Sequence, residues 1–202
     1  MALLPVVTPL LSSALASRGE DRESARLIAE LERKQDWVGL KQLAQLRLAR
    51  APEDPDWPMV LGYAQVQLGE HESAAQTFAR MVERTPEDID GWNLLGDAQR
   101  LVGRHAAAVR TLDHATTIDP ANAITRYLLG EALRADGRLE RAKQAYREAL
   151  RLEPNFAPAW FGLGVALLQT DARAELQPVR ERLNALDAGL AKRLAQLEAG
   201  NK

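Results

Sequence analysis

The stretch Gly96-Asp97-Ala98-Gln99-Arg100-Leu101-Val102-Gly103 returns 34 residues later as Gly130-Glu131-Ala132-Leu133-Arg134-Ala135-Asp136-Gly137, and that return decides the fold. Four columns share the step: Gly62, Gly96, Gly130 and Gly164; Gly69, Gly103 and Gly137; Pro52, Pro86, Pro120 and Pro154; Ala74, Ala108 and Ala142. A fixed period of about 20–50 residues is the mark of a stacked array, in which each unit buries its apolar face only against its neighbours. Six residues separate the two glycine columns, so the first glycine lies inside a helix and the second fits a left-handed cap that ends it. A glycine inside a helix costs about 1 kcal/mol relative to alanine, and close approach of a neighbouring helix is its expected compensation. The proline column stops a second helix and lets the chain restart. Each unit therefore reads as helix A, a tight turn, helix B and a second turn.

Composition agrees with this reading. Of 202 residues, 34 are Ala and 32 Leu, both strong helix formers, while aromatic residues are 5%. A formal net charge of -2 argues against a nucleic-acid partner, which calls for a basic face. With no Cys, disulfides, thiolate zinc sites and cysteine nucleophiles are excluded. Helix B carries an apolar stripe at i, i+4 and i+7: Ala74, Phe78 and Met81, then Ala108, Leu112 and Ala115, then Ala142, Tyr146 and Ala149. Its small first member allows close packing on helix A.

These residues resemble the tetratricopeptide repeat. Trp92, Leu95 and Gly96 match its W-x2-L-G, the pairs Ala74–Phe78 and Ala142–Tyr146 match its A-x3-F, and Pro86, Pro120 and Pro154 match its final proline. Pro58 and Arg126 depart from the tryptophan position, and Gln65, Gln99, Leu133 and Leu167 from the tyrosine position. The resemblance implies an all-α, right-handed solenoid of antiparallel helix pairs. The clear repeats are 55–88, 89–122 and 123–156. Residues 21–54 form a degenerate repeat, with helix A near Arg22 to Lys34 and helix B around Trp37, Leu40, Leu43 and Leu46. Residues 157–202 form a degenerate fourth repeat and a capping helix, with the break between its last two helices expected at Gly189.

Residues 1–20 stand apart. Met1 to Ser17 carry no charge, and Ala14-Leu15-Ala16 resembles a leader-peptidase site, although no basic region precedes it. If residues 1–16 are a leader, the protein works in the periplasm or outside the cell. The alternatives are a flexible or docked apolar terminus and a cytoplasmic protein. No stretch is long enough to span a bilayer, which needs about 20 apolar residues.

Catalytic and metal-binding patterns are lacking. His71 and His105 occupy one column and have no third ligand, so they read as solvent-facing residues opening helix B. Asp113-His114 lacks a placed nucleophile, and neither a phosphate loop nor a zinc-protease motif occurs. No enzyme, cofactor or metal is expected, and a small-ligand module ranks behind protein binding.

By the resemblance, helix A lines the concave face, and its repeat positions five, nine and twelve point into the groove. Position five holds Met59, Asn93, Tyr127 and Phe161; position nine Tyr63, Asp97, Glu131 and Val165; position twelve Val66, Arg100, Arg134 and Leu168. The stripe is apolar at its ends and charged in its middle. It reads as a groove for a partner peptide or helix, with Tyr63 and Tyr127 exposed, Asn93 bonding an extended backbone, and Arg100 and Arg134 taking carboxylates. The competing reading makes Asp97–Arg100 and Glu131–Arg134 ordinary i, i+3 pairs on a solvated face, and Met59, Val66 and Leu168 residues covered by the flanking repeats. The chaperone-binding members' Lys/Asn/Arg carboxylate clamp is absent: Met59, Tyr63, Ile124 and Leu128, or Ala25 and Ala29, stand at its candidate places. The protein is thus expected to be an adaptor with an unidentified protein partner, in a setting such as envelope assembly, secretion or export; the alternative is a self-associating scaffold.

Overall fold

A computed structural model describes residues 22–200. The expected leader therefore lies outside the described residues. Among those residues there are eleven α-helices and one 3-10 turn, and no strand. The chain divides into two compact units, Met1–Gly103 and Arg104–Lys202. The first holds α1 (Arg22–Arg33), α2 (Trp37–Arg50), α3 (Trp57–Gln67), α4 (His71–Arg84) and α5 (Ile89–Leu101). The second holds α6 (His105–Ile118), α7 (Ala123–Ala135), α8 (Leu139–Leu152), α9 (Ala157–Gln169), the 3-10 turn Arg173–Glu175, α10 (Leu176–Leu186) and α11 (Ala188–Gly200). Within each unit, helices adjacent in sequence pack against one another.

Glycines inside two of the A helices, α3 and α7, meet aromatic rings of the helix that follows. A Cβ on Gly62 of α3 would lie 2.3 Å from Cε1 of Phe78 on α4, and one on Gly130 of α7 would lie 2.6 Å from Cε1 of Tyr146 on α8. The compensation expected of a neighbouring helix is thus the ring of helix B lying on the bare backbone of helix A. Tyr146 touches a second such site: a Cβ on Gly162 of α9 would also stand 2.6 Å from its Cε1. One ring therefore packs on two consecutive A helices. Phe78, Tyr146 and the small residues Ala74 and Ala142 are all essentially fully buried.

The turn between A and B helices is set by backbone geometry. Gly69 adopts φ +75°, and the Glu70 N–H reaches back to the Gln65 carbonyl at 2.8 Å, as in a Schellman ending. Gln35 and Asp171, one period outside the glycine column at either end, take the same left-handed conformation at φ 54° and 52°. The Asp36 N–H bonds the Leu31 carbonyl, and the Ala172 N–H the Leu167 carbonyl, so the two degenerate pairs keep the loop without its glycine.

The turn from B to A helices has a side-chain lock. Trp92 Nε1 donates to the Pro86 carbonyl at 2.8 Å, and Trp160 Nε1 to the Pro154 carbonyl at 2.9 Å. Side-chain caps start the helices: Asp36 accepts from Gly39 N and Asn122 from Thr125 N, each at 2.9 Å. The final break falls at Asp187 rather than Gly189. Asp187 is extended, and its carboxylate accepts the Leu190 N–H at 2.9 Å, which makes it the start signal of α11 and places Gly189 in that helix's first turn.

Two outcomes follow. Gly62→Ala gains about 1 kcal/mol of helix propensity but overpacks the Phe78 ring, and a net loss of about 1–3 kcal/mol is expected in denaturant unfolding. Adding Phe78→Leu recovers part of it, because the smaller side chain makes room for the new methyl group. Gln35→Gly relieves a left-handed non-glycine residue and raises stability by about 0.5–1 kcal/mol in the same measurement.

Candidate functional site

The twelve stripe residues divide by burial. Met59, Tyr63, Val66, Asn93 and Tyr127 are buried, and Asp97, Arg100, Glu131, Arg134, Phe161, Val165 and Leu168 are half-buried. The expectation of exposed tyrosines is corrected. Tyr63 is 1% exposed, with the edge of Trp37 from α2 meeting its ring at 5.8 Å. Tyr127 is 6% exposed, with the Phe156 ring 5.2 Å away and the Tyr146 ring 6.2 Å away. Position five of these A helices faces core in both units, and position nine does so in α3. Asn93, 5% exposed, is likewise closed to a partner's backbone. Met59 and Val66 belong to the apolar core of the first unit, together with Leu40 and Ala44 of the degenerate repeat. The signals for this cover were the large rings Trp37, at the start of the degenerate helix B, and Phe156, just before α9.

The charged members are paired. In the first unit, Arg100 donates from Nε to Asp97 Oδ1 at 3.0 Å, with the two side chains 14% and 13% exposed. In the second, Arg134 Nη2 donates to Glu131 Oε2 at 2.9 Å. They are i, i+3 pairs, as one of the two readings expected, but the face is not solvated. The Glu131 side chain is 13% exposed and that of Arg134 26%. Tyr146 adds a third group, its hydroxyl donating to Glu131 Oε1. Glu131 is thus held through both oxygens, and its position fixes that of Arg134.

Electrostatics ties the cluster together. Burial works against the Arg134 cation, but the adjacent Glu131 charge and its hydrogen bond outweigh it and hold the guanidinium more firmly protonated than usual. Burial, and then the Glu131 carboxylate, push the Tyr146 phenol well above its ordinary value of 10.0. Arg134 Nε is buried against the cluster.

The apolar end of the second stripe is partly roofed by α11. The Arg193 guanidinium sits 5.1 Å from the Phe161 ring centroid, and Leu194 is the side chain that a Cβ on Gly164 would strike, at 2.6 Å. His71 and His105 begin α4 and α6 and are half-buried, with Nδ1 of each buried and without a hydrogen bond, a correction to the solvent-facing expectation. Among the described residues, no three His, Cys, Asp or Glu side chains gather as a metal site would require, and no helix is long and apolar enough to cross a membrane.

Family profiles match three stretches. Two separate profiles described as "Tetratricopeptide repeat" match residues 38–89 and 89–122, and one described as "TPR repeat" matches 130–171. The chain is a tetratricopeptide repeat (TPR) protein. Solved structures share the TPR fold. A thermophilic TPR protein of Thermus thermophilus superposes with a TM-score of 0.73 at 22% identity, covering 85% of this chain and 95% of its own. MamA from Desulfovibrio magneticus RS-1 gives 0.65 at 19%, covering 87% and 93%. Another MamA structure gives 0.65 at 18%, covering 90% and 99%. None of the curated proteins compared with the chain matches it. TPR repeats are protein-interaction scaffolds, and the chain has that general character.

The cluster makes an alkaline prediction. Tyr146→Phe removes a bond to a charged acceptor and costs about 1.5–3 kcal/mol at pH 7. The raised phenol stays protonated in the folded state while its unfolded counterpart ionises near pH 10. The wild type therefore loses stability as pH rises above 10 towards the folded value, and its advantage over the variant shrinks there. Urea unfolding of both proteins between pH 7 and 11 reads the difference.

Proposed function

We propose that the protein is an adaptor that holds a peptide or helix of a partner protein on the A-helix stripe of the second unit, Glu131, Arg134, Phe161, Val165 and Leu168. The observation that carries this reading is the locked pair Glu131–Arg134. Tyr146 and Glu131 hold the guanidinium in place, so its remaining donors are oriented before a partner arrives. Preorganisation of this kind reduces the entropy lost on binding. Phe161, Val165 and Leu168 on α9 are half-buried and supply apolar contact in the same unit. Arginine and aromatic residues are frequent anchors of protein interfaces. In the first unit Asp97 and Arg100 form the same i, i+3 ion pair on α5, but one period before Tyr146 the column holds Leu112 rather than a tyrosine. The buried Asn93, Tyr63 and Tyr127 have a different role, as supports beneath the stripe.

A setting in envelope assembly, secretion or export rests on residues 1–16 being a leader. Mass spectrometry of the N-terminus of the native protein tests it: a start near Ser17 supports export, and a retained Met1 favours the cytoplasm.

The test of the adaptor itself uses Arg134→Lys, which keeps the charge but loses the planar fork, and Val165→Asp, which places a charge on the half-buried apolar stretch. Both are expected to lose a partner captured by the wild-type protein from native cells, with melting temperatures close to the wild type. A wild type that captures only itself would support the self-assembling scaffold. Variants that capture the partner as well as the wild type does would place binding elsewhere on the protein.

A further inference from the structure

The first B helix, α2, differs from the later ones on the face turned away from its core residues Leu40 and Ala44. Val38, Gln42, Gln45, Leu46 and Ala49 are all exposed there, and their spacing of i, i+4, i+7, i+8 and i+11 puts them on one side of the helix. None of them is charged. The same columns hold exposed Glu72, Arg80 and Glu83 in α4, and exposed Glu140, Arg147 and Glu148 in α8. Val38 is 54% exposed and Leu46 50%; with Leu27 of α1 they are three of the four large apolar side chains left exposed among the described residues. Apolar groups gathered on one exposed face mark a contact surface, whereas scattered single ones do not.

The chain itself holds a matching occupant. Met1 to Ser17 carry no charged side chain, and Leu10, Leu11 and Leu15 are the large apolar residues nearest to α1 in sequence. Residues 16–21 join Leu15 to α1, which begins at Arg22. The helices α1 and α2 form an antiparallel hairpin. Its tight loop is closed by the Asp36 N–H on the Leu31 carbonyl, and Ile28, Leu40 and Ala44 share one core. The start of α1 therefore lies beside the end of α2, where Leu46 and Ala49 stand. Packed helices are about 8–10 Å apart. From Leu46 to Val38 is about 12 Å along α2, at 1.5 Å per residue. A linker of this length reaches about 20 Å when extended, so it can lay Leu10–Leu15 along the face.

We propose that the segment Leu10–Leu15 docks on this face of α2, with its leucines against Val38 and Leu46, and so completes the first repeat. The tether selects this occupant over a free one. A short linker holds the segment at an effective concentration of the order of millimolar, so a contact too weak to retain a separate peptide still forms. The face has no charge with which to steer a separate partner, and the segment has none to desolvate. The inference competes with removal of residues 1–16 as a leader, because cleavage would leave the face bare. It is independent of the A-helix stripe, and either can fail without the other.

The chain has no Cys, so Ser12→Cys carries a single nitroxide spin label. In the isotope-labelled full chain, nuclear magnetic resonance is expected to show the Gln42 and Gln45 amides losing about half or more of their intensity to the label, as a mostly docked segment requires. Val38→Glu combined with Leu46→Glu, at two exposed positions, is expected to restore that intensity with unchanged melting. A mixture of spin-labelled chain with isotope-labelled chain that lacks the spin label is expected to show no loss. An equal loss in the double variant would mean that the segment is tethered but not docked. A loss in the mixture would make a second copy the occupant. Either result overturns the proposal, as do undiminished Gln42 and Gln45 amides or a native protein that begins near Ser17.

Discussion

An aromatic ring lying on bare helical backbone is the contact on which the rest of this molecule depends. Phe78 occupies the space that a side chain at Gly62 would fill, and Tyr146 does the same at Gly130 and Gly162. The spacing of the helices in the α3–α4 and α7–α8 pairs follows from it. The ring needs a glycine opposite and small residues beside it, which is why Ala74 and Ala142 recur one turn before Phe78 and Tyr146.

The fold was legible because its causes repeat. Glycine, proline and alanine columns are backbone requirements, and backbone requirements leave a periodic trace. The left-handed turns at Gln35 and Asp171 left none: loop hydrogen bonds impose that conformation on residues that do not advertise it. The break at Asp187 escapes a glycine-based reading for a similar reason, since a capping carboxylate outweighs the glycine two residues on. The tryptophan column gains a physical meaning only in the folded chain, as a donor to the proline-turn carbonyl.

The stripe was legible in position but not in depth. Repeat arithmetic put Asp97, Arg100, Glu131 and Arg134 on the right helices, and their pairing was one of the two readings weighed. It could not decide that Tyr63 and Tyr127 are buried, because their cover comes from Trp37 and Phe156, rings in columns that elsewhere hold polar residues such as His71 and Asn122. Nor could it find the Tyr146–Glu131 bond: one partner belongs to the core stripe and the other to the surface stripe, and nothing in the spacing joins them. A residue that serves as packing on its ring and as chemistry at its hydroxyl escapes any reading that assigns each residue one role.

Tyr146 also bears on how the second unit comes apart. A stacked array is usually treated as a chain of nearest-neighbour interfaces that fray from the ends, each pair opening on its own. A ring wedged against α7 and α9 at once fuses two such interfaces. The α7–α8 hairpin cannot open without releasing α9, so amide protons in these three helices should exchange with solvent as one cooperative block.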